Sequence, residues 1–314
     1  MAMPCIVFSQ YTYDHLQVNY LSTSTALKSY TYANLRLYPV LAKDNFKTEF
    51  KDVGKYMSLQ DALAKKKIRI TEKGNGGEVN SLTIENISND TIIVIPGQVI
   101  KGGKQDRIIN QDMVLQPKSG KKDLSVFCVE SGRWSPRSNT SVHASSNAVF
   151  NESYYSGSME LRKTVEKTKT QSKVWEKVDE INQKNSTTTD TKTYTAITNS
   201  SDFTNKQNAY LQFFKDKFAT EPDIIGVVVV SGDKVLGCDM FATTALFKQN
   251  YESLLHSYIA EAIINGKEVT ISPDKVKTYM DKLLSNEKVQ EATLKEKGNS
   301  FTNKGKKLRV SSFD

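Results

Sequence analysis

The run Ile224–Val230, IIGVVVV, limits the possible folds of this 314-residue chain more than any other stretch. It is almost wholly β-branched, and Gly232-Asp233 turns it into Val235–Phe241, so the two segments read as a hairpin. The helix expected next, over about residues 243–265, repeats Phe247, Tyr251, Leu254, Leu255, Tyr258, Ala262 and Ile263 at i, i+3, i+4 spacing. That amphipathic face is expected to pack on the hairpin, and His256 falls off the stripe, on the solvated side.

A second β region begins at Ser81. Leu82, Ile84 and Ile87 precede an Asn89-Asp90 turn; Thr91–Ile95, Gly97–Val99, Gln105–Leu115 and Leu124–Glu130 follow at short intervals. Such spacing predicts an antiparallel sheet or sandwich. Upstream, Asn34–Ala42 reads as a strand in which Pro39 marks an edge or a bulge. Ser58 can cap a short helix to Ala64, and Ile68–Thr71 is a brief strand. Gly74-Asn75-Gly76-Gly77 is a turn and not a phosphate loop, because neither Lys-Ser/Thr nor a helix follows it.

Downstream, residues 131–158 read as a loop, a surface helix runs from about Ser158 to Asn182, and Ser186–Thr195 is a low-complexity linker and the best internal boundary. A helix over 205–218, another opened by Ser272-Pro273 and running to about Leu284, and a closing strand over 304–313 complete the chain. The class expected is α+β, an antiparallel sheet or sandwich with a hairpin and C-terminal amphipathic helices packed on it. Residues 1–33 are read as an extension, and 34–314 as one domain with a Ser/Thr/Lys-rich insertion at about 135–200.

Composition narrows the function classes. At 38% hydrophobic and 25% charged, the chain has the makings of a core. The net charge of +8 is spread along the chain and accompanied by 35 carboxylates, so no specific nucleic-acid binding is expected. Cys5, Cys128 and Cys238 lie far apart, which excludes a zinc ribbon and disfavours a disulfide framework; His15, His143 and His256 are isolated, so no metal site is assigned. No apolar run approaches the roughly 18 residues of a membrane span. The opening MAMPCIVFSQ is a frayed terminus or first strand, or else the tail of an export signal that starts upstream, and the compartment stays open.

The candidate chemistry lies in Ile95–Trp134. Gly102 and Gly103 permit positive φ, and consecutive N–H groups at such a turn can nest an anion beside Lys101, Lys104 and Arg107. The competing reading is a tight turn with solvated lysines. Cys128 alternates with Leu124 and Val126 and is expected in the core. Glu130, ending an apolar run, needs a partner, and Arg107 or Arg133 can supply it. Trp134 either stacks on a ligand ring or plugs the core. Asp239 has no evident partner, and Lys304, Lys306 and Lys307 form a solvated edge.

The segments GQVIKGGKQDR, FCVESGRW and IIGVVVVSGDKVLGCDMF, over about Leu35–Phe313, resemble a mostly bacterial family of domains. That family is named for association with ADP-ribosylglycohydrolase and rhodanese-phosphatase superfamily proteins. The matching residues are Gly97, Gly102, Gly103, Gln105, Asp106, Arg107, Cys128, Glu130, Arg133 and Trp134. The resemblance implies a neighbourhood of ADP-ribose and phosphate chemistry, which is association and not mechanism. The leading expectation is a small anionic or nucleotide-like ligand held by Gly102, Gly103, Gln105, Arg107, Arg133 and Trp134. The alternatives are a hydrolase with Glu130 or Asp106 as general base, and an interaction or envelope-associated protein docking through 131–200. Cofactor and oligomeric state are left unassigned.

Overall fold

The computed structural model describes residues 11–74, 77–135 and 149–314. Cys5, His143 and the opening residues 1–10 fall outside that range, as do residues 136–148 of the expected loop. The fold is α+β with antiparallel sheets and C-terminal helices. The chain divides into two compact units: 1–54, 218–248 and 267–314 form the first, 55–217 and 249–266 the second.

The first unit is built on a seven-stranded antiparallel sheet. Its order is Leu16–Val18, Leu35–Ala42, Ile224–Ser231, Lys234–Phe241, Lys306–Phe313, Gly298–Asn303, with Thr31–Tyr32 also on Leu35–Ala42. The IIGVVVV run is a central strand buried on both faces, which is why its sequence is continuously apolar rather than alternating. Leu35–Ala42 is not an edge strand. Pro39 is tolerated there because its carbonyl, accepting from Asn19 N–H at 2.9 Å, points toward the flank shared by two short strands, and its nitrogen must point the same way. Those strands pair no further than Val40 on one side and Arg36 on the other, so no ladder donor is missing. Asp239, expected to lack a partner, accepts from the Ser311 hydroxyl at 2.6 Å.

In the second unit a six-stranded antiparallel sheet runs Phe150–Ser156, Gln98–Gly102, Arg107–Ile109, Gly120–Cys128, Ser81–Asn86, Ile68–Glu72. It curls until its two ends meet, where Val149 bridges Thr71. Strand alternation then sorts the side chains. Ile70, Ile84, Ile100, Ile109, Val126 and Phe150 fill the inside of the curl. Val99, Ile108, Phe127 and Val129 face outward onto Leu161, Val165, Val174 and Val178 of two helices. A small sheet of Met113–Leu115, Ile92–Val94 and Met57–Ser58 lies beside it, its last pair parallel.

Local chemistry sets the helix starts. Ser58, Ser158 and Ser272 each accept a backbone N–H three residues on, and Pro273 follows the last of them. The single helix expected over 158–182 is two, Met159–Thr168 and Gln171–Lys184, broken at Lys169 with φ 50°. The helix Thr244–Ile264 matches its expected range, but from Ser253 to Ala262 it is buried on every side. His256 is therefore not solvated. Its ring stacks on Tyr155 with centroids 3.4 Å apart, and burial lowers its pKa to about 4.

Candidate functional site

Alternation carries the inward face of the curled sheet past its apolar filling to one end. Glu72 continues the face of Ile68 and Ile70, Arg107 that of Ile109, and Cys128 that of Leu124 and Val126. Arg107 is fully buried and Glu72 nearly so. Arg107 Nη1 donates to the Gln105 carbonyl at 2.9 Å and to Gln105 Oε1 at 3.4 Å. Nη2 lies 3.5 Å from Glu72 Oε1, an ion pair without a hydrogen bond. Arg107 Nε and Nη2, and Glu72 Oε2, have no hydrogen-bond partner among the described residues. Cys128 pairs with Arg107 across the strands and is fully buried, and burial pushes its thiol up to about 11, away from the thiolate form.

Gly102 and Gly103 make the turn above this pair, with φ of +130° and +50°. A Cβ on Gly103 would lie 2.2 Å from the Phe150 ring and 2.7 Å from Glu72 Oε1, so close packing requires glycine there. The turn's N–H groups are engaged within the protein. Gly102 donates to Asp106 Oδ1, Gly103 to the Val149 carbonyl, and Lys104 to Glu72 Oε1 at 2.7 Å. An anion cradle made of these N–H groups is therefore not available.

Beside the turn lies a second network. Arg133 holds Glu130 side-on, Nε to Oε1 at 3.0 Å and Nη2 to Oε2 at 2.6 Å. Its other N–H groups donate to the carbonyls of Gly103 at 2.8 Å, Ser135 at 2.6 Å and Gly102 at 3.3 Å. Every donor of that guanidinium is thus matched. Asp106 N–H donates to Glu130 Oε2 at 2.9 Å, and Asp106 Oδ2 accepts from Thr193 at 3.0 Å and Thr195 at 3.4 Å. Burial alone would raise the Glu130 carboxyl, but the Arg133 hydrogen bonds and the Asp106 N–H outweigh it and hold Glu130 below its ordinary pKa.

The sequence candidates therefore do converge, but on two neighbouring arrangements. Asp106, Glu130 and Arg133 lock one another. Gln105 and Arg107 belong with Glu72, which sequence reading did not single out, although the alternation Ile68, Ile70, Glu72 places a carboxylate on an apolar face. Thr193 and Thr195 lie in the stretch read as a linker; Thr193 instead bridges Glu130, and only the stretch's Ser/Thr content was visible. Gln171 was also missed. Its amide accepts from Cys128 N–H and donates to Cys128 C=O, both at 2.8 Å, and so stands in for a strand neighbour.

Trp134 is not a core plug. It is 47% exposed, with Lys104 Nζ 5.4 Å and Arg107 Cζ 5.7 Å from its ring centre. Two further exposed apolar residues stand at this end of the sheet. Val79 accepts from Cys128 Sγ through its carbonyl, and Val149 closes the curl. Among the described residues no cluster of His, Cys, Asp and Glu could hold a metal ion, and no helix is long and apolar enough to cross a membrane. A family model described as the ARG and Rhodanese-Phosphatase-superfamily-associated Protein domain matches residues 23–313. No curated protein and no solved structure matches the chain.

Proposed function

The chain belongs to the family of ARG and Rhodanese-Phosphatase-superfamily-associated Protein domains, and on that premise we propose that it is a binding module rather than a catalyst. Its ligand is a small nucleotide-like molecule received at the end of the curled sheet. One observation carries this reading. Arg107 presents Nε and Nη2, buried side by side, with no hydrogen-bond acceptor among the described residues. On Arg133 the same edge grips a carboxylate. Leaving a buried donor unmatched costs about 1–3 kcal/mol, so a fold that keeps two of them together favours completion by an acceptor from outside.

The surroundings suit such a ligand. Trp134 offers an exposed ring next to Arg107, and Val79 and Val149 add an apolar rim, the usual make-up of a pocket at a barrel mouth. Of the residues assigned to the ligand from sequence, Arg107 and Trp134 carry the contact. Gln105 positions Arg107, while Gly102, Gly103 and Arg133 shape the turn.

A hydrolase would need Glu130 or Asp106 as its base, and both are poorly suited. A general base works best with a pKa near the operating pH. Glu130 is held below its ordinary value, and Asp106 is fully buried under two threonine hydroxyls and a backbone N–H. Calorimetry with ADP-ribose, nucleosides and nicotinamide tests the binding reading. A saturable heat is expected with at least one of them, lost in Arg107→Met while the protein stays folded. Silence across the whole panel would sink it.

A further inference from the structure

We infer that the part of the ligand that meets Arg107 and Glu72 is uncharged: a planar ring bearing a carbonyl with an N–H beside it, as in a ring carboxamide or a lactam-type base. This rests on the reading that the Arg107 edge is the ligand site.

Charge balance is the first argument. The buried or nearly buried charged groups around the turn are Arg107 and Arg133, positive, and Glu72, Asp106 and Glu130, negative. Lys73 and Lys101 nearby are already paired, with Glu78 and Asp123 and with Glu152 respectively. Arg133 lies 2.6 Å from Glu130 and 3.6 Å from Asp106, and Arg107 lies 3.5 Å from Glu72. The buried cations already have their counter-charges. A carboxylate or phosphate on the Arg107 edge would enter without a surplus positive charge and would sit against Glu72, an arrangement that burial makes unfavourable.

Hydrogen-bond complementarity is the second. Arg107 offers two parallel donors, Nε–H and Nη2–H, and its ion-pair partner Glu72 carries an unmatched acceptor, Oε2. A carboxylate satisfies the donors and leaves Oε2 unmatched. A carbonyl with an adjoining N–H satisfies both sides. Two hydroxyls of a sugar would do so as well, but they present no flat face to Trp134. A ring does, and aromatic stacking rewards it.

The test uses the full chain carrying Trp175→Phe, so that indole emission reports Trp134. Nicotinamide, inosine and uridine carry the carbonyl/N–H edge; nicotinate, AMP and ribose do not. At least one of the first set is expected to bind at least tenfold more tightly than every one of the second. Glu72→Gln, which keeps the shape and removes the negative charge, is expected to shift the preference toward nicotinate by a similar factor. Circular dichroism checks that this variant is folded; if it is not, the wild-type ranking decides alone. Tighter binding of nicotinate or AMP than of any amide, abolished in Arg107→Lys, would overturn the inference and leave the site standing. No response of Trp134 to either set, nor to ADP-ribose, would remove the site and the inference together.

Discussion

Arg133→Ala would leave the Glu130 and Asp106 carboxylates buried without the cation that matches them. Breaking a buried pair from one side costs about 3–5 kcal/mol, and urea unfolding is expected to register a loss of that order. Adding Glu130→Gln to it should cost less than the sum of the two single changes, because the nearer of the two charges to be compensated has then gone. His256 gives a different signature. Its pKa falls from the ordinary 6.5 to about 4 on burial, so the unfolded chain binds the proton more readily than the folded one. Stability from this group is complete above about 6.5 and is lost as pH drops toward 4, by about 3 kcal/mol at 1.36 kcal/mol per pKa unit. The slope should be flatter in His256→Phe, measured as midpoint denaturant concentration against pH. Glu130, whose pKa is lowered, loses its contribution only below about 4.5, so the loss between pH 6.5 and 4.5 belongs to His256 and not to Glu130.

Between the helices Met159–Thr168 and Gln171–Lys184, Lys169 adopts a left-handed conformation that glycine occupies without strain. Lys169→Gly is expected to stabilise the protein by about 0.5–1 kcal/mol in the same unfolding assay, since the residue is exposed and lies outside both helices. Gly103→Ala acts in the opposite sense, because its Cβ would have to displace the Phe150 ring and Glu72, and a fall in melting temperature should report it. At this scale the sequence was readable wherever a feature is local. The hairpin announced itself by a β-branched run and a Gly-Asp turn, and the starts at Ser58, Ser158 and Ser272-Pro273 by their capping chemistry. Features set by distant segments were not readable. Nothing near Glu72 foretells Arg107, and the threonines at 193 and 195 look like linker residues until Asp106 needs their hydroxyls. The long helix after the hairpin misled in its periodicity, because burial on every side makes an apolar stripe meaningless and takes His256 out of water.

At the level of the whole molecule, the order of segments matters more than any single contact. Neither unit is a continuous piece of chain, and residues 249–266 return to the second unit after the first has been entered. Glu261 from that return accepts the Glu160 N–H at the start of a helix, and Ser253 bonds Ser156 at 3.0 Å. A fragment limited to residues 55–217 is therefore expected to lose cooperative thermal unfolding, while one that restores 249–266 through a flexible linker regains it. The curl of the second sheet has a kinetic consequence as well. Among the described residues its ends are joined by one bridge, Thr71 to Val149, next to the Gly103 and Lys104 amides. The Arg107 edge lies behind that seam and out of solvent. If the proposed ligand enters there, the seam parts first, a local excursion far smaller than global unfolding. Loading would then be gated: the observed association rate levels off as ligand concentration rises, at the opening rate that Gly103 amide exchange reports at a pH high enough for each opening to lead to exchange.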